Sequence, residues 1–149
     1  MIEVILEDER WAAVGLEALA DPAEREALAV AGRRPEGFEI ALMGCDDARI
    51  ATLNADFRGK PTATNVLSWP ASDTPPMEAG ALGDIAIAFE TCQREATEKG
   101  ISVHHHVTHL LIHGILHLLG YDHISDTEAE EMEALEIKAL AKLGISNPY

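Results

Sequence analysis

The run H-G-I-L-H-L-L-G-Y-D-H, residues 113–123, constrains this chain more than any other stretch. It closes a segment from Val103 to about Leu119 in which Leu110, Leu111, Ile112, Ile115, Leu116, Leu118 and Leu119 fill most of a helical circumference. A helix apolar on most sides has to be buried, so the rest of the chain must wrap around it. At 100° per residue His106, His109, His113 and His117 fall within an arc of about 80°, and are therefore buried with the helix or line a cleft. Burial disfavours a protonated imidazole and leaves neutral nitrogens free to bind a metal. Gly120 ends the helix and lets the chain fold back, which can bring His123 to the His113–His117 pair. Three neutral nitrogens with one coordination position left open is the donor set of a catalytic zinc.

A chain of 149 residues can bury a core without disulfides or a structural metal, so any metal here is free to serve chemistry. Cys45 and Cys92 have no C-x-x-C context and read as reduced, small core residues. The acidic start M-I-E-V-I-L-E-D-E-R is no signal peptide, and no run approaches the roughly 18 apolar residues of a membrane span. A soluble cytoplasmic protein with no membrane partner is expected. The net charge of −15 argues against non-specific nucleic-acid binding, which rests on phosphate neutralisation. The acids are uneven, however, and Arg58 and Lys60 lie where Asp56 is the only acid nearby, so a small positive patch on an acidic body remains open. An aromatic content of 5% argues against an aromatic-rich binding surface.

Strands are expected at residues 2–6, 38–43, 66–69 and 82–89. A helix is expected from about Trp11, with a second start where Asp21, Pro22 and Glu24 combine an N-cap, a first-turn proline and a capping-box acid. Asp46 or Asp47 can cap a helix carrying Ile50, Leu53 and Asn54, after which residues 57–65 read as an irregular loop. Residues 71–81, with Pro75, Pro76 and Gly80, form a loop. A helix over 90–99 closes at Gly100, Ser102 caps the histidine helix, and Ser125-Asp-Thr-Glu128 is a capping box for a last helix reaching Leu143. Strands and helices are mixed, with two helices last and no linker or repeat: one α+β or α/β domain.

The spacing H-x-x-x-H-x-x-G-x-x-H is similar to that of the metzincin peptidases, which carry a glutamate general base directly after the first histidine. Gly114 stands there instead, and peptide hydrolysis by that route loses its base. Glycine also costs helix stability, roughly 1 kcal/mol against alanine. Two accounts of Gly114 stay open: close approach of a backbone or substrate to the metal, or tight helix packing.

The same eleven residues resemble the signature of the YbeY family of bacterial endoribonucleases. Leu53-Asn54 with Phe57-Arg58, then Thr64-Asn65-Val-Leu-Ser-Trp-Pro70, resemble its N-x-x-[YF]-R and T-[DN]-V-L-S-F-P segments; Leu82-Gly-Asp-Ile85 resembles its L-G-D-I strand; and the acidic helix after the metal run is of the family type. Asn65 departs from a common Asp and Trp69 from a common Phe. The resemblance implies a single metallo-endoribonuclease domain over residues 1–149, α+β and zincin-like, with a zinc helix across a small, mostly parallel sheet. It further implies one Zn²⁺ per chain and endonucleolytic cleavage of single-stranded RNA. The biological role it implies is maturation of the 3′ end of small-subunit (16S) rRNA and ribosome quality control, in contact with the small subunit and its proteins.

On this reading His113, His117 and His123 hold the metal, and Arg58, whose planar fork donates two parallel hydrogen bonds, clamps phosphate. Lys60 is a second cation, and Asn65 and Ser68 are candidates for the cleft wall. Asp84 or Asp122 is a candidate to orient a ligand imidazole from behind. Candidates for the general base are zinc hydroxide, His109 and the RNA 2′-hydroxyl. Two other classes compete: a metallopeptidase-like or other zinc hydrolase, and a ribosome-associated factor whose zinc is mainly structural. A structural zinc would show four protein ligands.

Overall fold

A computed structural model describes all residues, 1–149. Four strands, β1 (Ile2–Leu6), β2 (Phe38–Cys45), β3 (Val66–Pro70) and β4 (Gly80–Ala88), form one sheet in the order β1-β2-β4-β3. β1, β2 and β4 are parallel, and β3 runs antiparallel on the edge. Six helices complete the α+β fold: α1 (Arg10–Val14), α2 (Leu16–Val30), α3 (Asp47–Arg58), α4 (Phe89–Lys99), α5 (Val103–Leu118) and α6 (Asp126–Lys142). No helix is long and apolar enough to cross a membrane.

α5 is the buried centre that its sequence demands. Val107, Leu111, Ile112, Ile115, Leu116 and Leu118 have no exposed surface, and they join Leu28, Leu42, Ile85, Ile87 and Leu140 in one core. α2, α4 and α6 pack around α5, and β3 and β4 form its sheet-side support. β4 carries an extra residue: Glu39 pairs with Ala81 but Ile40 with Gly83, so Leu82 is bulged. Gly83 takes φ +141° there, and a Cβ would run into the Trp69 carbonyl and Leu118, so the L-G-D-I motif needs its glycine for a bend and a close approach. Cys45 and Cys92 are buried free thiols, and burial pushes Cys45 up to about 12.

Three local expectations are corrected. No helix begins at Asp21; α2 runs through Pro22, and the break falls at Gly15, φ +83°. Leu16, Ala20, Ala23, Ala27 and Leu28 form one continuous buried stripe, and its packing outweighs the local start signal at Asp21-Pro22. Phe57 and Arg58 are not loop residues but the last turn of α3, which Gly59 closes in the left-handed conformation. β4 starts at Gly80, two residues before the expected strand, because Gly80 pairs with Phe38.

Candidate metal centre

Ser102 caps α5 by accepting from His105 N at 3.1 Å, and the helix then carries His113 and His117 one turn apart. Their Nε2 atoms approach to 3.1 Å. After Gly120, φ +101°, the chain turns back, Tyr121 N bonds Leu116 O at 3.1 Å, and His123 swings over the pair. One ligand atom from each of His113, His117 and His123 lies within 4.8 Å of the others, and no fourth His, Cys, Asp or Glu joins the group. Two nitrogens bound tetrahedrally at about 2.1 Å stand roughly 3.4 Å apart, so the spacing fits a metal of zinc's size.

The far nitrogens decide which atoms can bind. His117 Nδ1 lies 2.9 Å from the Tyr121 carbonyl oxygen. A carbonyl only accepts, so Nδ1 carries the proton and Nε2 keeps its lone pair. His113 Nδ1 lies 2.8 Å from Glu136 Oε2, with the same consequence. Burial depresses the His117 pKa, and a charge on His113 would depress it further, so the neutral donor form is favoured.

Glu136 was not among the candidates read from the sequence. It is fully buried on α6 and accepts from three donors: His113 Nδ1 at 2.8 Å, His109 Nε2 at 2.6 Å and Tyr149 Oη at 2.5 Å. Burial alone would push its carboxyl up; the hydrogen bonds from His109, His113 and Tyr149 more than reverse that and hold it down at about 2. It is therefore an anion and an acceptor only. One signal for it was present: Met132, Glu136, Ala139 and Leu140 form the buried stripe of α6, so a carboxylate occupies an apolar position.

The three histidines open into a cleft of about 820 Å³, whose walls include Arg58, Asn65, Ser68, His109 and Asp122. Asp122 Oδ1 accepts from the His123 backbone at 2.8 Å and lies 3.7 Å from its ring. Asn65 donates to Glu95 at 3.0 Å, and Glu95 also bonds the buried His106 at 2.8 Å. Lys60 is outside the cleft; Lys99, at the end of α4, lines it instead. Asp84 is also outside. Ile85 points at α5, so its neighbour Asp84 faces the other side of the sheet, in a small groove with Glu3 and Glu39. Gly114 is tightly packed: a Cβ there would stand 3.0 Å from Ser68 Oγ and 3.2 Å from Ile85 Cδ1.

Several known proteins are similar to this chain. A family model described as Endoribonuclease YbeY matches residues 7–144. The Endoribonuclease YbeY of Ruegeria pomeroyi is 55% identical, over 99% of this chain and 97% of its own. That of Cereibacter sphaeroides is 52% identical, over 100% of this chain and 98% of its own. In fold, the chain is similar to a Thermotoga maritima protein whose solution structure is known, with a TM-score of 0.63 over 97% of this chain and 92% of that one, at 23% identity.

Proposed function

Because the chain belongs to the YbeY family of endoribonucleases, we propose that it is a zinc-dependent endoribonuclease that cuts single-stranded RNA. With that activity we propose the cellular role of the family: maturation of the 16S rRNA 3′ end and ribosome quality control, in the cytoplasm, beside the small subunit and its proteins. The observation that carries the reading is a three-nitrogen centre in the same cleft as Arg58. His113, His117 and His123 would hold one zinc ion, with a position left for substrate or water. The chemistry such an ion supplies is Lewis-acid charge beside a phosphoryl group and a more acidic water.

The chain's own residues do the rest. Arg58, exposed at the end of α3, is free to grip a phosphate with two parallel donors. Glu136 and the Tyr121 carbonyl keep the Nε2 lone pairs of His113 and His117 aimed at one point. His109 has its Nε2 committed to Glu136 and its Nδ1 buried, which makes it a positioning residue and a poor general base. Glu136 is equally unsuited to be the base, since both its oxygens are engaged and it is fully buried.

Peptidase chemistry is disfavoured by Gly114, which offers no carboxylate beside His113 and where even a Cβ would stand 3.0 Å from Ser68 Oγ. A mainly structural zinc is disfavoured by the lack of a fourth protein ligand. The test compares wild type, His117→Ala and Arg58→Glu on single-stranded RNA, duplex RNA and a peptide library, with zinc content measured on each preparation. Wild type should cut only single-stranded RNA. His117→Ala should lose zinc and cleavage together, whereas Arg58→Glu should keep zinc and lose cleavage. Peptide cleavage with RNA untouched would sink the nuclease reading.

A further inference from the structure

The chain has only seven aromatic residues, three Phe, two Trp and two Tyr. Trp11 and Phe38 are fully buried, and Phe89 packs on the core with its ring 5.5 Å from Trp11. The other four, Phe57, Trp69, Tyr121 and Tyr149, all line the metal cleft. The composition makes an aromatic-rich surface unexpected, yet four of the seven aromatic residues gather in this one cleft.

Two of these rings combine exposure with a fixed position. Phe57, 64% exposed, lies edge-on to Trp69 at 5.2 Å, immediately before Arg58. Tyr149, 59% exposed, is tethered by its hydroxyl to Glu136 at 2.5 Å and stands edge-on to His109 at 5.4 Å. Leaving apolar rings in water gains nothing in folding. Holding them still in the cleft that Arg58 also lines does serve a ligand that is both anionic and flat.

Resting on the RNA reading of this cleft, we propose that Phe57 with Trp69, and Tyr149, are stacking platforms for unpaired nucleobases on the strand held at the metal centre. Base–aromatic stacking tolerates any sequence because every base has a π-face, and it requires bases released from a duplex. The platforms thereby supply selection for single strands. They also add affinity that a protein of charge −15 does not obtain from general phosphate attraction.

The test measures binding of a non-cleavable 2′-O-methyl oligocytidylate and of its abasic counterpart with the same number of phosphates, at one salt concentration. Trp69 fluorescence reports occupancy, since Trp11 is sealed in the core. Wild type should bind the base-bearing strand more tightly, by about fivefold or more for each stacked base. Phe57→Leu should shrink that ratio while leaving abasic binding in place; Tyr149→Leu should shrink it relative to Tyr149→Phe, which loses the same bond to Glu136 but keeps the ring. Equal binding of the two strands by wild type overturns the stacking proposal and leaves RNA binding intact. So does a ratio unchanged in Phe57→Leu and equal between Tyr149→Leu and Tyr149→Phe. Binding of neither strand overturns the RNA reading itself.

Discussion

Replacing Glu136 by glutamine removes one charge and almost no volume, and tests whether this carboxylate sets the donor state of the metal site. The native carboxylate accepts hydrogen bonds from His109, His113 and Tyr149. A glutamine amide keeps one acceptor and gains two hydrogens, so one side must now donate. The least disruptive arrangement turns the amide oxygen to His113 and the NH₂ to His109, whose proton then moves to the unpartnered Nδ1. The fold survives, but His113 loses its anionic partner and becomes a weaker ligand. Losing such a partner costs about 10- to 100-fold in metal affinity. The lost charge-assisted hydrogen bonds cost about 2 kcal/mol of metal-free stability.

Competition against a chelator reads the first quantity and urea unfolding of the metal-free protein the second. A pH series adds an independent check. A carboxyl held at about 2 in the fold, against 4.5 in the unfolded chain, binds protons more weakly when folded. Its contribution, about 3 kcal/mol, is present above pH 4.5 and is lost as pH falls from there toward 2. The stability gap between wild type and Glu136→Gln should therefore narrow below pH 4.5. Zinc affinity within about twofold of wild type, against the 10- to 100-fold loss expected, would refute the reasoning. A gap that ignores pH in that window would do the same.

Gly114→Ala should destabilise the protein by up to about 2 kcal/mol, because crowding against Ser68 and Ile85 outweighs the roughly 1 kcal/mol gained in helix propensity. In a Ser68→Ala background the same change should cost less; additive urea midpoints would show that Ser68 is not the obstacle. Asp84→Asn should leave zinc content and RNA cleavage unchanged, since Asp84 faces the groove with Glu3 and Glu39; a loss of either would contradict the strand's facing.

What could be read from the sequence is what nearest neighbours decide. Ser102 and Ser125 cap α5 and α6 through side-chain oxygens that reach three residues ahead, to His105 N and Glu128 N, so short patterns suffice to find both helices. The His113–His117 pair follows from helical spacing alone, and the turn at Gly120 brings in His123. The rest depends on distant packing. Asp84 and Ile85 differ only in which face of β4 they occupy, and in a run of nearly all apolar residues only the placement of α5 says which is which. The break at Gly15 belongs to a buried stripe spanning all of α2, not to its capping signals.

The same division runs through the metal centre. The spacing of three histidines specifies which side chains can meet, but an imidazole offers either nitrogen, and spacing does not choose between them. The choice comes from atoms brought up from elsewhere: the Tyr121 carbonyl beyond the helix end, and Glu136 from α6. Glu136 in turn is kept ionised in a dry interior only because His109 and Tyr149 donate to it alongside His113. A carboxylate placed there without those donors would be pushed up by burial, and once protonated it could direct its own hydrogen at His113. Donor identity at this centre is therefore local, whereas donor competence is a property of the packed α5–α6 pair. Only packing singles out Glu136 among the many acids of the α6 segment, so the sequence alone points to Asp84 and Asp122 and passes over it.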